Sequence, residues 1–225
     1  MSGNLINTLM LSLAFLLLFG LAELLHHFFR INAEWTRKIV HLCTGVFALS
    51  FPFLLDNHWW VLLMSISFLG LLTLSMKFNF LKSINGVDRI TRGSLLFPVV
   101  VYGCFLVYDH YDHLLFYYLP LLILAICDPV AAYVGKNWPW KKYHIRTYTK
   151  TLSGSLGFLA FALLVSWTLL SSLANSDFST NFILAIGIAL ATTVAEAVSN
   201  KGYDNLTIPI AAVLVLLLEK DYFII

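Results

Sequence analysis

The chain alternates long apolar runs with short polar connections. The runs cover residues 5–25, 39–55, 59–76, 95–108, 114–134, 156–173, 182–198 and 206–218. They are continuous rather than alternating, and most approach the roughly 20 residues that a helix needs to cross a bilayer. A spanning segment must satisfy its own backbone, so each run predicts a helix and the whole predicts an all-α, polytopic integral membrane bundle of about eight transmembrane helices. Composition agrees: 60% of the 225 residues are hydrophobic, 12% are charged and the mean hydropathy is +0.83. Little chain remains between the runs, so residues 1–225 read as a single membrane-embedded domain. The first run has no basic residue before it and no small-residue cleavage site after it, and it reads as a retained helix.

Charge orders the connections. Arg30, Arg37 and Lys38 fall in one, Lys77, Lys82, Arg89 and Arg92 in the next but one, then Lys136, Lys141, Lys142, Arg146 and Lys150, then Lys201. The intervening loops hold Asp56, Asp109, Asp112 and Asp177 with no Lys or Arg. The positive-inside rule makes the basic connections cytoplasmic and puts both termini outside. A formal charge of +2, sorted by side rather than pooled, gives no footing for nucleic-acid binding. Cys43, Cys104 and Cys127 show no CxxC spacing and read as small core residues.

Two runs, 95–108 and 206–218, rise only about 20 Å as helices against a hydrocarbon core of about 30 Å. Both are therefore expected to start inside the membrane, beside a cavity that covers the irregular backbone. Their starts are parallel: Gly93-Ser94-Leu95 with Pro98, and Asp204-Asn205-Leu206 with Pro209. Two helix N-termini would then aim backbone N–H groups at a cytoplasm-facing cavity, which suits an anion.

Ionisable residues inside spans are costly and point to function. Here they are Glu23, Asp128 and Glu196, with His41 just inside the second run, all on the basic side. Arg37, Lys38, Arg92, Lys136 and Lys150 surround them. Carboxylates facing guanidinium and ammonium groups are what a magnesium-bound polyphosphate requires, the acids for the metal and the cations for the phosphates. Glu23-x-x-His26 has di-iron ligand spacing, but no second such motif accompanies it. Asp109-His110-Tyr111-Asp112-His113 reads as a solvated turn on the outer side, and the Trp and Tyr residues at run ends as an interfacial belt. P-loop, serine-hydrolase and zincin motifs are absent.

Five motifs follow in order: Glu34-x-x-Arg37-Lys38-x-x-His41-x-x-x-Gly45; Arg92-Gly93-Ser94-x-x-Phe97-Pro98; Asp128-x-x-Ala131-x-x-x-Gly135-Lys136; Lys150-Thr151-x-x-Gly154-Ser155; and Glu196 with Gly202-x-Asp204-Asn205-Leu206-x-x-Pro209. Together they resemble the CTP-dependent membrane kinases of dolichol, phytol and diacylglycerol, which are related to phosphatidate cytidylyltransferases. The resemblance implies transfer of the terminal phosphate of CTP, with Mg²⁺ or a similar divalent cation, to the hydroxyl of a membrane lipid such as a polyprenol, a phytol-like isoprenoid or diacylglycerol. It implies Asp128, Glu196 and Asp204 at the metal. Arg37, Lys38, Arg92, Gly93, Ser94, Lys136, Gly154, Ser155 and Asn205 would lie at the nucleotide, and Asp128, Lys150 and His41 would act in catalysis. His41 could orient phosphate or hydroxyl, or make a structural hydrogen bond. Ser153 stands where the family often has an acidic residue. The long cytidylyltransferase signature is missing, which ranks that enzyme second, and a transporter would place its charges at the midplane rather than at one face.

Overall fold

The computed structural model describes residues 2–78, 80–86, 92–146 and 148–223. Arg89, one of the basic loop residues counted above, lies outside them. The helices are α1 (Ser2–Phe28), α2 (Ala33–Ala48), α3 (Phe51–Leu54), α4 (His58–Phe78), α5 (Lys82–Asn85), α6 (Gly93–Tyr111), α7 (Leu115–Leu122), α8 (Asp128–Asn137), α9 (Leu152–Leu173), α10 (Phe178–Val198) and α11 (Asp204–Leu218). Segment Ile123–Cys127 is π-helical and joins α7 to α8, so Leu115–Asn137 forms one span. The protein is an all-α, polytopic membrane bundle: seven helical stretches are long and apolar enough to cross a bilayer, and α11 is a shorter apolar helix.

The expectation of two short spans is half corrected. Helix α6 starts at Gly93 and runs to Tyr111, and its 19 residues rise about 28 Å, enough to cross. The apolar run understated it because Gly93, Ser94 and Asp109–Tyr111 extend the helix without adding hydropathy. Helix α11 remains short at 15 residues.

Polar side chains set several ends. Asn32 accepts from Glu34 N–H at 2.8 Å to start α2, Thr151 from Gly154 N–H at 3.1 Å to start α9, and Asp177 from the N–H groups of Ser179 and Thr180 to start α10. Four hydrogen bonds to Asp177 hold its carboxyl well below the usual carboxylate range. At one end of the bundle Asn4 donates to Asp56 at 2.8 Å, Ser176 donates to the Tyr222 carbonyl, and His113 packs on Phe223. The two ends of the described chain therefore share one face with the acidic loops, as the charge alternation requires.

Among the described residues, three apolar clusters fill the bundle, the smallest joining Phe19, Val40, Leu72 and Ile84 of α1, α2, α4 and α5. Phe116, Phe158, Ile188 and Ile208 join α7, α9, α10 and α11, while Phe15, Phe51, Met64, Phe105 and Tyr117 join α1, α3, α4, α6 and α7. Small residues allow the closest approaches: a Cβ on Gly45 would fall 2.6 Å from Ala125 Cβ, and one on Gly154 would fall 2.8 Å from the Ala131 carbonyl oxygen. These contacts seat α2 on the π-helical segment and α9 on α8. All three cysteines are free.

The most basic loop holds an element the sequence did not announce. Strands β1 (Lys142–Ile145) and β2 (Tyr148–Thr151) pair antiparallel with Tyr143 opposite Lys150, and β2 runs directly into α9.

Candidate active site

Five segments converge on one cavity of about 440 Å³ at the basic end of the bundle. Helix α2 contributes Arg37, Lys38 and His41, the start of α6 contributes Gly93 and Ser94, and α8 contributes Asp128 and Lys136. The hairpin and the first turn of α9 bring Lys150, Gly154 and Ser155, and the end of α10 and start of α11 bring Glu196, Asp204 and Asn205. Of the residues expected at the site, Arg92 alone does not line this cavity. Its guanidinium donates to Tyr203 Oη at 2.9 Å and stacks over that ring, just outside.

Two ion pairs organise the charged end. Lys150 Nζ lies 2.6 Å from Glu196 Oε1 and also donates to the Glu196 backbone carbonyl, so it pairs an acid and neutralises the C-terminus of α10 together. Ser155 Oγ donates to the other carboxylate oxygen at 3.2 Å and shares a 2.7 Å hydrogen bond with Tyr143 Oη. The second pair is looser, with Lys38 Nζ 3.8 Å from Asp128 Oδ2. The charges of Lys38, His41, Arg37 and Lys150 all act on Asp128, and Asp204 lies within the fields of Asp128, Lys150 and Glu196.

The helix starts behave as anticipated in part. Neither Arg92 nor Tyr203 gives a side-chain cap to α6 or α11, and at the start of α11 the Asp204 carboxylate accepts from the Asn205 N–H at 3.1 Å. The two starts are tied together: Asn205 donates to the Gly93 carbonyl at 2.7 Å, and Arg92 N–H to the Lys201 carbonyl at 2.8 Å.

His41 sits where the charged end gives way to apolar lining. Its ring packs edge-on against Phe97 with centroids 5.0 Å apart, the Leu124 carbonyl engages one nitrogen, and Nε2 is buried without a hydrogen-bond partner.

Glu23 takes no part. Its Oε1 accepts from both Ser83 N–H and Ser83 Oγ at 2.8 Å, tying α1 to α5. Lys201, which the sequence reading did not single out, lines the cavity, as do Thr149 and Asn200. Being the sole basic residue of the last basic connection was the available signal for Lys201.

Among the described residues no three of His, Cys, Asp and Glu gather closely enough to form a metal cage. The donor chemistry nevertheless fits a magnesium-type ion, which is usually held by one or two carboxylates together with substrate phosphates and water. Asp128 has a loose partner and keeps about a quarter of its side chain accessible from the cavity.

The sequence comparison is consistent with this geometry. The chain is 28% identical to the phytol kinase of Synechocystis sp. over 195 residues, which cover 86% of this chain and 83% of that enzyme. The similarity spans most of the bundle rather than one motif. No family model and no solved structure matches the chain.

Proposed function

We propose that the protein is a kinase that transfers the terminal phosphate of CTP to the hydroxyl of a membrane lipid alcohol, with a divalent cation, from a site facing the cytoplasm. The observation that carries this reading is the composition of the cavity. One end gathers Arg37, Lys38, Lys136, Lys150 and Lys201 against Glu34, Asp128, Glu196 and Asp204, and the other end is apolar and lies within the membrane-spanning helices. A polyphosphate and a lipid hydroxyl can meet there and nowhere in bulk water.

Phosphoryl transfer is mostly positioning and charge neutralisation. Five cations against four carboxylates leave the cavity near balance, so a polyphosphate is accommodated best when it brings a cation of its own. As phosphate oxygens enter, Lys38 and Lys150 can exchange Asp128 and Glu196 for them, which frees two hard oxygen donors. Asp128 and Glu196, with Asp204 near, would hold the metal, and Mg²⁺ bound there would neutralise charge on the transferring group. Lys38, Lys150 and the N–H groups of Gly93 and Ser94 face the remaining phosphate charge. The lipid oxygen forms its bond to the terminal phosphorus while the bridging P–O bond to CDP breaks. His41 Nε2, unpartnered at the boundary of the two ends, takes the hydroxyl proton.

The test uses purified protein and CTP labelled either in the terminal phosphate or in the cytosine, with polyprenol, phytol, diacylglycerol and phosphatidate as acceptors. Terminal-phosphate label in a lipid phosphate is expected. Cytosine label in a lipid product would instead identify a cytidylyltransferase.

A further inference from the structure

The cavity does not end at the charged cluster. Helix α2 presents Lys38, His41, Thr44 and Ala48 in succession along one face, and the cavity reaches Phe51 of α3. Across it lie Leu72, Phe68 and Met64 of α4, read in the opposite direction, with Phe19 and Phe15 of α1 closing a side. The lining thus changes from ammonium groups to aromatic and aliphatic side chains within one continuous space. From Lys38 to Ala48 is ten residues, about 15 Å along the helix.

We infer that this apolar arm holds the hydrocarbon tail of the acceptor, and that Ala48 and Met64 toward its far end limit the chain length. The inference rests on the proposed transfer site at the charged end.

Rigidity at the far end argues for a gauge. Tyr117, fully buried, donates to the Ala48 carbonyl at 2.9 Å, and Tyr118 donates to the Leu49 carbonyl at 3.0 Å. Both hydroxyls pin the C-terminal end of α2, so the end cannot yield by sliding. Ala48 and Met64 are 1% and 2% exposed and have packed neighbours behind them. A zigzag chain with bonds of about 1.5 Å advances roughly 1.25 Å per bond, so on the order of twelve carbons reach from Lys38 to Ala48.

The test is a chain-length profile. Wild-type protein, Ala48→Leu and Met64→Ala are placed in nanodiscs with a homologous series of single-chain primary alcohols, and kcat/KM is measured for each. Ala48→Leu is expected to lower the ratio of long-chain to short-chain kcat/KM by about fourfold for each methylene it excludes, and Met64→Ala to raise it. Opposite shifts from a filled and an emptied position are not what general damage produces. Identical ratios in the wild type and an active variant would overturn the inference. If the wild type phosphorylates no alcohol, the transfer reading fails, and the arm is then read with a photoreactive single-chain alcohol. Cross-links at Met64 competed away by long but not short alcohols support the arm, and cross-links confined to the outer helix faces overturn it.

Discussion

Removing the Lys150 ammonium should damage the fold as well as the chemistry, and the two effects can be separated. Lys150 and Glu196 have side chains 17% and 8% exposed and stand 2.6 Å apart, which excludes the solvent-screened regime where an ion pair is worth about 0–1 kcal/mol. Lys150→Ala leaves the Glu196 carboxylate with the Ser155 hydroxyl and no cation at bonding distance. Breaking a buried pair from one side typically costs about 3–5 kcal/mol, since the orphaned charge stays desolvated. Lys150→Ala with Glu196→Gln removes that charge, and the amide keeps the Ser155 hydrogen bond, so most of the loss should return. Activity should not return, because both the phosphate ligand and the acid are gone. Equilibrium unfolding of each variant in nanodiscs, beside phosphoryl transfer on equal amounts of folded protein, measures both quantities. The double-mutant cycle then gives the coupling directly. The reasoning fails if Lys150→Ala costs less than about 1 kcal/mol, or if the double variant is no more stable than the single one.

Other substitutions probe separate steps of the argument. Asp128→Asn should fold normally and lose phosphoryl transfer by orders of magnitude, read as kcat on folded protein, because the amide keeps the shape without the charge. His41→Ala should lower kcat by about 10²–10⁴ as expected for a lost proton acceptor, with little change in nucleotide binding by calorimetry. Glu23→Ala should do the reverse: it orphans the Ser83 N–H and hydroxyl, lowering unfolding free energy by about 1–3 kcal/mol while kcat on folded protein stays put. Gly45→Val drives a side chain into Ala125, and an overpacking loss of about 1–3 kcal/mol is expected in the same unfolding assay.

The sequence made the bundle legible because a lipid solvent leaves little choice: an apolar run of about 20 residues must be a helix that satisfies itself. The convergence of Asp128, Glu196, Lys38 and Lys150 was readable for the complementary reason, that charge at that depth needs a compensating partner. What could not be read was tertiary. The hairpin is four residues a strand inside a basic loop, and Tyr143, opposite Lys150, reaches Ser155 at the start of α9. The true start of α6 is set by Gly93 and Ser94, whose own hydropathy does not mark them as part of a span. Arg92 carries the same charge as Lys38 but is turned toward Tyr203 by a ring that no spacing rule places there.

Glu23 and Glu196 show how differently two carboxylates near the same end of the bundle are held. Glu23 is satisfied by a backbone N–H and a hydroxyl of Ser83, donors held in place by α5, and it does not line the cavity. Glu196 and Asp128 are satisfied by lysines, whose flexible four-carbon stems can carry the ammonium a few ångströms to another anion. A carboxylate held by fixed neutral donors can gain nothing from an arriving phosphate. One held by a movable cation can exchange it, and a cavity built from two such pairs stays near charge balance both before and after a metal-bound polyphosphate enters.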